Sequence, residues 1–134
     1  MVIFLIVKNE LSYEQFNSKV DRTYRVTLHA LDYNSSVSFA VAPAFRTDFP
    51  EFENVSQYFL RSGGLIKVDE DLYNESWYAY ADEEFMKIFD FEWLAGNPST
   101  ALNEPDAIVL TESLAKKYFG NTDVLGKVLK FDNQ

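Results

Sequence analysis

The clearest pattern of hydrophobic and polar positions lies between Thr111 and Gly120 and predicts a short amphipathic helix. Its apolar face consists of Leu114, Ala115, Tyr118 and Phe119. Lys116 and Lys117 fall on the other face, near the end where the helix dipole favours positive charge. Thr111 can cap the first turn, and Gly120 is the residue type that most often ends a helix in the left-handed conformation. The stretch therefore predicts a helix with both ends specified.

The remaining pattern predicts short strands separated by turns and three further short helices, the first of which begins at Ser12. Strand-like runs occupy residues 24–31, 55–61, 65–68, 77–81, 107–110 and 128–131. The first of these alternates and is expected to be half-buried. Ser62-Gly63-Gly64 is interpreted as a turn, and residues 69–71 as a solvated acidic hairpin. Helices are expected at 43–49 and 83–89. The fold class predicted is α+β, with strands of a mixed sheet, short interleaved helices and either one or two lobes.

Composition restricts the classes of protein that this chain can belong to. A length of 134 residues with 47% hydrophobic residues is sufficient for one domain with a core. The net charge of −9 and the pI near 4.5 disfavour binding to nucleic-acid phosphates. Because the chain has no cysteine, disulfides and thiolate metal sites are excluded.

Residues 2–7, with the sequence VIFLIV, form a purely apolar run that Lys8 ends. Six residues are too few to cross a bilayer, which takes roughly 20. Two interpretations stay open: a short buried strand, or the outer end of a transmembrane helix. A basic start and a small-residue cleavage site, which a secretory signal has, are missing.

No set of residues in the sequence makes a convincing catalytic, cofactor or metal site. His29 is the only histidine, so serine-type triads and histidine metal clusters have little to build on. The stretch from Gly120 to Lys127 has five residues between its glycines and Val128 after the lysine, unlike a phosphate loop. We therefore predict a protein that is not an enzyme and has no cofactor and no metal.

Aromatic residues are concentrated between positions 73 and 93. Most of them are expected in the core. In an alternating strand, however, Trp77 faces one way whereas Tyr78 and Tyr80 face the other. Tyr and Trp are favoured at interfaces, so Trp77, Tyr78 and Tyr80 are a candidate partner surface.

Three segments, in order along the chain, resemble one known family. They are ELSYEQFNSKVDRTYRV at 10–26, YADEEFMKIFDFEWLAGNPSTALNEP at 80–105, and VLTESLAKKYFG at 109–120 followed by Gly126 and Lys127. The segments are similar to the MacB-like periplasmic core domain of ABC transporter permeases of the MacB/FtsX/LolE type. The chain departs from the family pattern at Val124, where a proline is usual.

The resemblance implies the extracytoplasmic domain of a permease in the bacterial inner membrane. It favours residues 1–8 as the end of a transmembrane helix and 9–134 as the periplasmic core domain. Members are longer, so the chain is expected to lack the last strands of the domain. The implied function is non-catalytic: the domain relays ATPase-driven motion to periplasmic cargo or partners, in efflux or lipoprotein release.

The partners implied are a cytoplasmic ATPase subunit, a second permease subunit, and a periplasmic adaptor or lipoprotein. The alternative from the residues alone is a secreted binding module that uses the Tyr- and Trp-rich surface. A carboxylate-dependent hydrolase is the weakest of the three hypotheses, because no pair of acidic residues is set apart in the sequence.

Overall fold

A three-stranded antiparallel sheet and short helices make up the described part of the chain, which a computed structural model covers at residues 17–29, 33–34 and 36–131. The sheet has the order β4-β3-β5, with β3 at Tyr58–Val68, β4 at Asp71–Ala81 and β5 at Lys130–Phe131. Two further short strands, β1 (Leu28–His29) and β2 (Tyr33–Asn34), pair with each other. The helices are α1 (Val41–Asp48), α2 (Phe85–Ile88) and α3 (Glu112–Phe119), preceded by one 3₁₀ turn at Val20–Arg22. The prediction of an α+β fold is confirmed.

The long hairpin of β3 and β4 dominates the sheet. The turn predicted at Ser62-Gly63-Gly64 is wrong, because β3 continues through it and pairs with β4 on both sides, at Ser62–Trp77 and Gly64–Glu75. Gly63 has a φ of 74°, which only glycine adopts easily. The glycine therefore allows the backbone to change direction locally within the strand. The acidic residues 69–70 form the exposed hairpin turn, as predicted.

Burial along β4 changes phase opposite Gly63. Tyr73 and Glu75 are half-buried in the turn-proximal half of the strand, as simple alternation requires. Ser76 and Trp77 are then both exposed, and the next half-buried residue is Tyr78. In the outer half of β4 the half-buried residues are Tyr78 and Ala81, so the strict alternation of the turn-proximal half is not continued there.

The core lies between the turn-proximal half of the hairpin and α3. Ile66 and Val68 of β3 pack with Tyr118 of α3, and all three are buried. Partly buried residues surround them: Tyr73, Leu110, Leu114, Phe119, Leu129 and Phe131.

Helix α3 has the boundaries and faces that the sequence predicts. The Thr111 hydroxyl accepts a hydrogen bond from the Leu114 backbone N–H at 3.3 Å, and Gly120 ends the helix with a φ of 72°. Lys116 and Lys117 are exposed. The strand predicted at 107–110 is wrong: this stretch is irregular, although Leu110 still contributes to the core.

The region before the hairpin is less buried than its alternation predicts. Of the strand expected at 24–31, the structure describes residues 24–29; among these Leu28 and His29 alone form β-pairs, and Tyr24 is 76% exposed. Alternation shows which side chains share a face, but burial also needs an element that covers that face. Helix α1 has Pro43 in its first turn. It ends at Asp48, and Phe49 is its C-cap residue before Pro50, as expected.

The helices that the structure describes are all too short or too polar to span a bilayer. The assignment of residues 1–8 to the end of a membrane helix lies outside the described residues and remains a prediction.

Candidate partner surface

The three aromatic residues singled out in the sequence lie in the outer half of the hairpin, away from its turn. Trp77 is 64% exposed and Tyr80 is 59% exposed. Tyr78 is half-buried, since its ring contacts those of Tyr80 and Phe131 at centroid distances of 5.5 and 4.6 Å. Tyr78 and Tyr80 thus form one contiguous patch, anchored on β5.

Cross-strand pairing extends this patch onto β3. Phe59 lies opposite Tyr80, and Arg61 lies opposite Tyr78. Because directly paired residues of an antiparallel ladder point to the same side, these four residues share one face, which we call the tyrosine face. Trp77, opposite Ser62, belongs to the other face of the sheet.

Phe39, which the sequence did not single out, completes the tyrosine face. The Phe39 ring contacts that of Phe59 edge-on at 5.7 Å, and the Arg61 guanidinium lies 5.6 Å from the centre of the same Phe59 ring. Arg61 makes no ion pair with any residue that the structure describes. A cation against an aromatic ring is a favourable arrangement that leaves the outward N–H groups available for a ligand. Long-range pairing alone brings these residues together, so the sequence carried no local signal for them.

A small cavity of about 170 Å³ opens beside the tyrosine face. It is lined by Phe39, Gln57, Tyr80, Ala81 and Asp82. The lining is largely apolar, and its one carboxylate, that of Asp82, is already hydrogen-bonded within the fold. The cavity is therefore suited to an apolar group.

The Asp82 carboxylate holds the end of the hairpin to α1. One of its oxygens accepts hydrogen bonds from the Arg46 guanidinium at 2.5 Å and the Gln57 backbone N–H at 3.1 Å. The other accepts from the Ser56 hydroxyl at 2.6 Å. Arg46 also donates to the Val55 carbonyl oxygen. Because its charge is paired and both of its oxygens are hydrogen-bonded, Asp82 has a structural role and adds no net charge to the cavity.

The opposite face of the hairpin carries a second aromatic group. Tyr58 contacts Phe85 of α2 at 5.6 Å, and Phe85 contacts Phe89 at 5.0 Å. Leu60 and Trp77, 54% and 64% exposed, lie beside this group with no helix over them in the described part of the chain. Contact between Tyr58 and Phe85 couples α2 directly to the start of β3.

The first described residues attach to the segment around α2. The Ser18 backbone N–H donates to Asp90 Oδ2 at 2.6 Å, and Lys19 Nζ donates to the Lys87 carbonyl oxygen at 2.5 Å. Hydrogen bonds from the Ser18 side chain and backbone keep the pKa of Asp90 below its ordinary value. Asn17 is buried, with only 3% of its surface exposed. This attachment involves the first residues that the structure describes after the segment 1–8, which the sequence assigns to the membrane boundary.

The side chain of Glu75 joins the hairpin to α3 at the other end of the molecule. Its carboxylate accepts hydrogen bonds from Lys117 and from the Tyr118 hydroxyl, and these bonds lower the pKa of Glu75. Burial, followed by the bond to Glu75, raises the pKa of Tyr118. Lys117 Nζ also lies 5.7 Å from the Tyr73 ring centre. The arrangement is a stabilising contact between two elements and lies on the side of the sheet that α3 covers.

The acidic side chains of the described part of the chain serve the fold and do not gather into a metal-binding cluster. No group of three or more His, Cys, Asp or Glu side chains there is placed to hold a metal ion. The acidic residues described above, Glu75, Asp82 and Asp90, each have a hydrogen-bonding role in the fold.

Comparison with known proteins identifies the class. A family model for the MacB-like periplasmic core domain matches residues 1–134. The chain therefore belongs to that family, which is the extracytoplasmic domain of ABC transporter permeases. Comparisons with curated proteins and with solved structures returned no match.

Proposed function

We propose that this domain performs no chemistry itself and relays movement from the membrane part of an ABC transporter to a partner on the extracytoplasmic side. Family membership supports the setting, in which a separate subunit hydrolyses ATP. Efflux or lipoprotein release is the transport task in this proposal. The observation within the fold that best supports the relay is the attachment of residues 18–19 to the segment around α2.

The first step of the relay is a polar connection close to the membrane. Residues 1–8 are the end of a transmembrane helix in this proposal, and a shift of that helix is transmitted along the chain to Ser18 and Lys19. Their bonds to Asp90 and to the Lys87 carbonyl oxygen transmit the shift to α2. These bonds are short and charge-assisted, which favours a defined geometry over a loose tether.

The second step runs from α2 to the hairpin. Phe85 of α2 packs against Tyr58, the first residue of β3. Because β3 and β4 are paired residue by residue from Tyr58–Ala81 to Ser62–Trp77, a displacement at Tyr58 moves the outer half of the hairpin as a unit. Trp77, Tyr78 and Tyr80 lie in that half, so the proposed partner surface moves with it.

The test uses the complete permease assembled with its ATPase subunit. Asp90→Ala removes the acceptor for Ser18 and is expected to reduce transport while ATP hydrolysis and the melting temperature of the domain change little. Glu92→Ala is the matched control, because Glu92 is also an exposed carboxylate of the same segment and makes none of these bonds. Unchanged transport in Asp90→Ala, or equal losses in both variants, would contradict the relay.

Crosslinking tests the partner surface separately. A photoreactive amino acid at position 77 or 80 should give adducts with an adaptor, a lipoprotein or a second permease subunit in intact cells. The same amino acid at position 130, which is exposed on β5, is the control. Adducts that are equally abundant at position 130 would argue against a surface centred on the hairpin.

A further inference from the structure

The tyrosine face combines an apolar cavity with a cation that has no carboxylate partner in the described residues. The cavity is bordered by Phe39 and Tyr80, and Arg61 lies one two-residue step along β3 from Phe59, the residue opposite Tyr80. The Arg61 guanidinium lies 5.6 Å from the centre of the Phe59 ring, so the cation is held beside the paired residues Phe59 and Tyr80 that adjoin the cavity. An apolar and a cationic contact point are thus neighbours on the paired hairpin.

Charge shows which ligand fits this face. The chain carries a net charge of −9, so most of its surface attracts cations. The tyrosine face is different: Asp82 is neutralised by Arg46, and Arg61 remains as a positive charge without an ion pair in the described residues. The complementary group is an anion next to an apolar group, and the planar guanidinium is well matched to a carboxylate.

We propose that the tyrosine face binds an extended acidic peptide segment of a partner protein, with an apolar side chain in the cavity and a carboxylate on Arg61. Residues i and i+2 of an extended segment point to the same side, so such a pair can present an apolar side chain to the cavity and a carboxylate to the neighbouring Arg61. The recognised pattern is therefore a large apolar residue, any residue, then Asp or Glu. This inference rests on the proposed function, in which the outer half of the hairpin meets a partner.

Binding is expected to be weak for a short peptide and to depend on each of the two contacts. A hydrogen-bonded charge is worth about 1.5–3 kcal/mol, which corresponds to roughly a 10- to 100-fold change in affinity. Because the acidic domain repels a highly charged peptide, the probe should carry a single carboxylate.

The experiment measures binding of a labelled, acetylated and amidated peptide, Gly-Phe-Thr-Glu-Gly, to the whole 134-residue chain by fluorescence polarisation. Arg61→Gln is expected to weaken binding at least about tenfold. Replacing the peptide glutamate by glutamine should cause the same loss, with no additional loss when both changes are combined. Phe39→Ala should also weaken binding, because it removes one wall of the cavity.

Lys130→Gln is the charge-matched control, since it removes one exposed positive charge from β5. Equal weakening by Lys130→Gln and Arg61→Gln would overturn the proposal, because it would indicate a non-specific charge effect. Absence of binding, or equal binding of the glutamine peptide, would also overturn it. Circular dichroism of each variant checks that the fold is retained.

Two further measurements exclude other occupants. Binding of the chain to phosphatidylglycerol vesicles that is lost in Arg61→Gln would assign the face to lipid and overturn the peptide proposal. Dimerisation in analytical ultracentrifugation that is lost in Phe39→Ala would assign it to a second copy of the chain. The relay is tested by Asp90→Ala in the assembled transporter, so failure of peptide binding and failure of the proposed function are distinguishable.

Discussion

Replacement of Tyr118 by alanine tests whether the small core between α3 and the hairpin holds the domain together. Tyr118 is 6% exposed, packs against Ile66 and Val68, and contacts the Tyr73 ring at 4.9 Å. Truncation of a buried aromatic residue typically costs about 3–5 kcal/mol. Domains of this kind are stable by about 5–15 kcal/mol in total. Tyr118→Ala should therefore remove a large part of the free energy of unfolding.

A second substitution separates the ring from the hydroxyl. Tyr118→Phe keeps the packing and removes only the hydrogen bond to Glu75. Because Glu75 retains its bond to Lys117 and is partly reached by water, we expect a loss of about 1 kcal/mol. The core contribution is then the difference between the alanine and phenylalanine variants, about 2–4 kcal/mol.

Urea unfolding followed by far-ultraviolet circular dichroism measures these free energies. Lys116→Ala is the control on the exposed face of the same helix. It removes an exposed i,i+4 pair with Glu112, which is worth about 0.3–0.5 kcal/mol. If Tyr118→Ala and Lys116→Ala were destabilised to within about 1 kcal/mol of each other, the assignment of the core would be refuted.

Two other predictions concern acid stability and the end of α3. The pKa of Glu75 is lower in the folded state than its ordinary value of 4.5, so its contribution is fully present above that value and is lost as the pH falls through the folded pKa. The difference in unfolding free energy between the wild type and Glu75→Gln should accordingly shrink below about pH 4.5, and a constant difference from pH 7 downward would exclude this cause. Gly120→Ala should lower the free energy of unfolding in urea by about 1–2 kcal/mol, because φ is 72°. No atom lies within 4 Å of the added Cβ, so backbone strain is the expected cause. Gly120→Asn should cost less, because asparagine tolerates the left-handed region, and equal costs would show that backbone strain is not the reason.

Local signals in the sequence were sufficient for α3. Its cap, its glycine end and its apolar face are all specified within ten consecutive residues, so no distant contact was needed to predict them. Pro50 likewise indicated the end of α1, although the helix begins at Val41, two residues before Pro43. The α+β class followed because the sequence shows runs of short strands interrupted by a few short helices.

Features that depend on distant pairing were predicted less well. Ser62-Gly63-Gly64 has the composition of a turn, yet the ladder with β4 continues through it, since pairing on both sides outweighs the local preference. Residues 24–31 alternate as a half-buried strand does, but in the described structure Tyr24 is largely exposed. The aromatic cluster drew attention to Trp77, Tyr78 and Tyr80, whereas Phe39, Phe59 and Arg61 carried no signal until the register of the hairpin was known.

The change of burial phase opposite Gly63 divides the hairpin into two regions that experience different constraints. Side chains near the turn pack under α3, so most replacements there cost folding energy. Side chains in the outer half contribute little to the core, and their replacement leaves it intact. Two strands that form one continuous ladder can therefore accumulate sequence changes at different rates along their length. A lineage of such domains can acquire new binding preferences at the outer half while it keeps the same melting temperature.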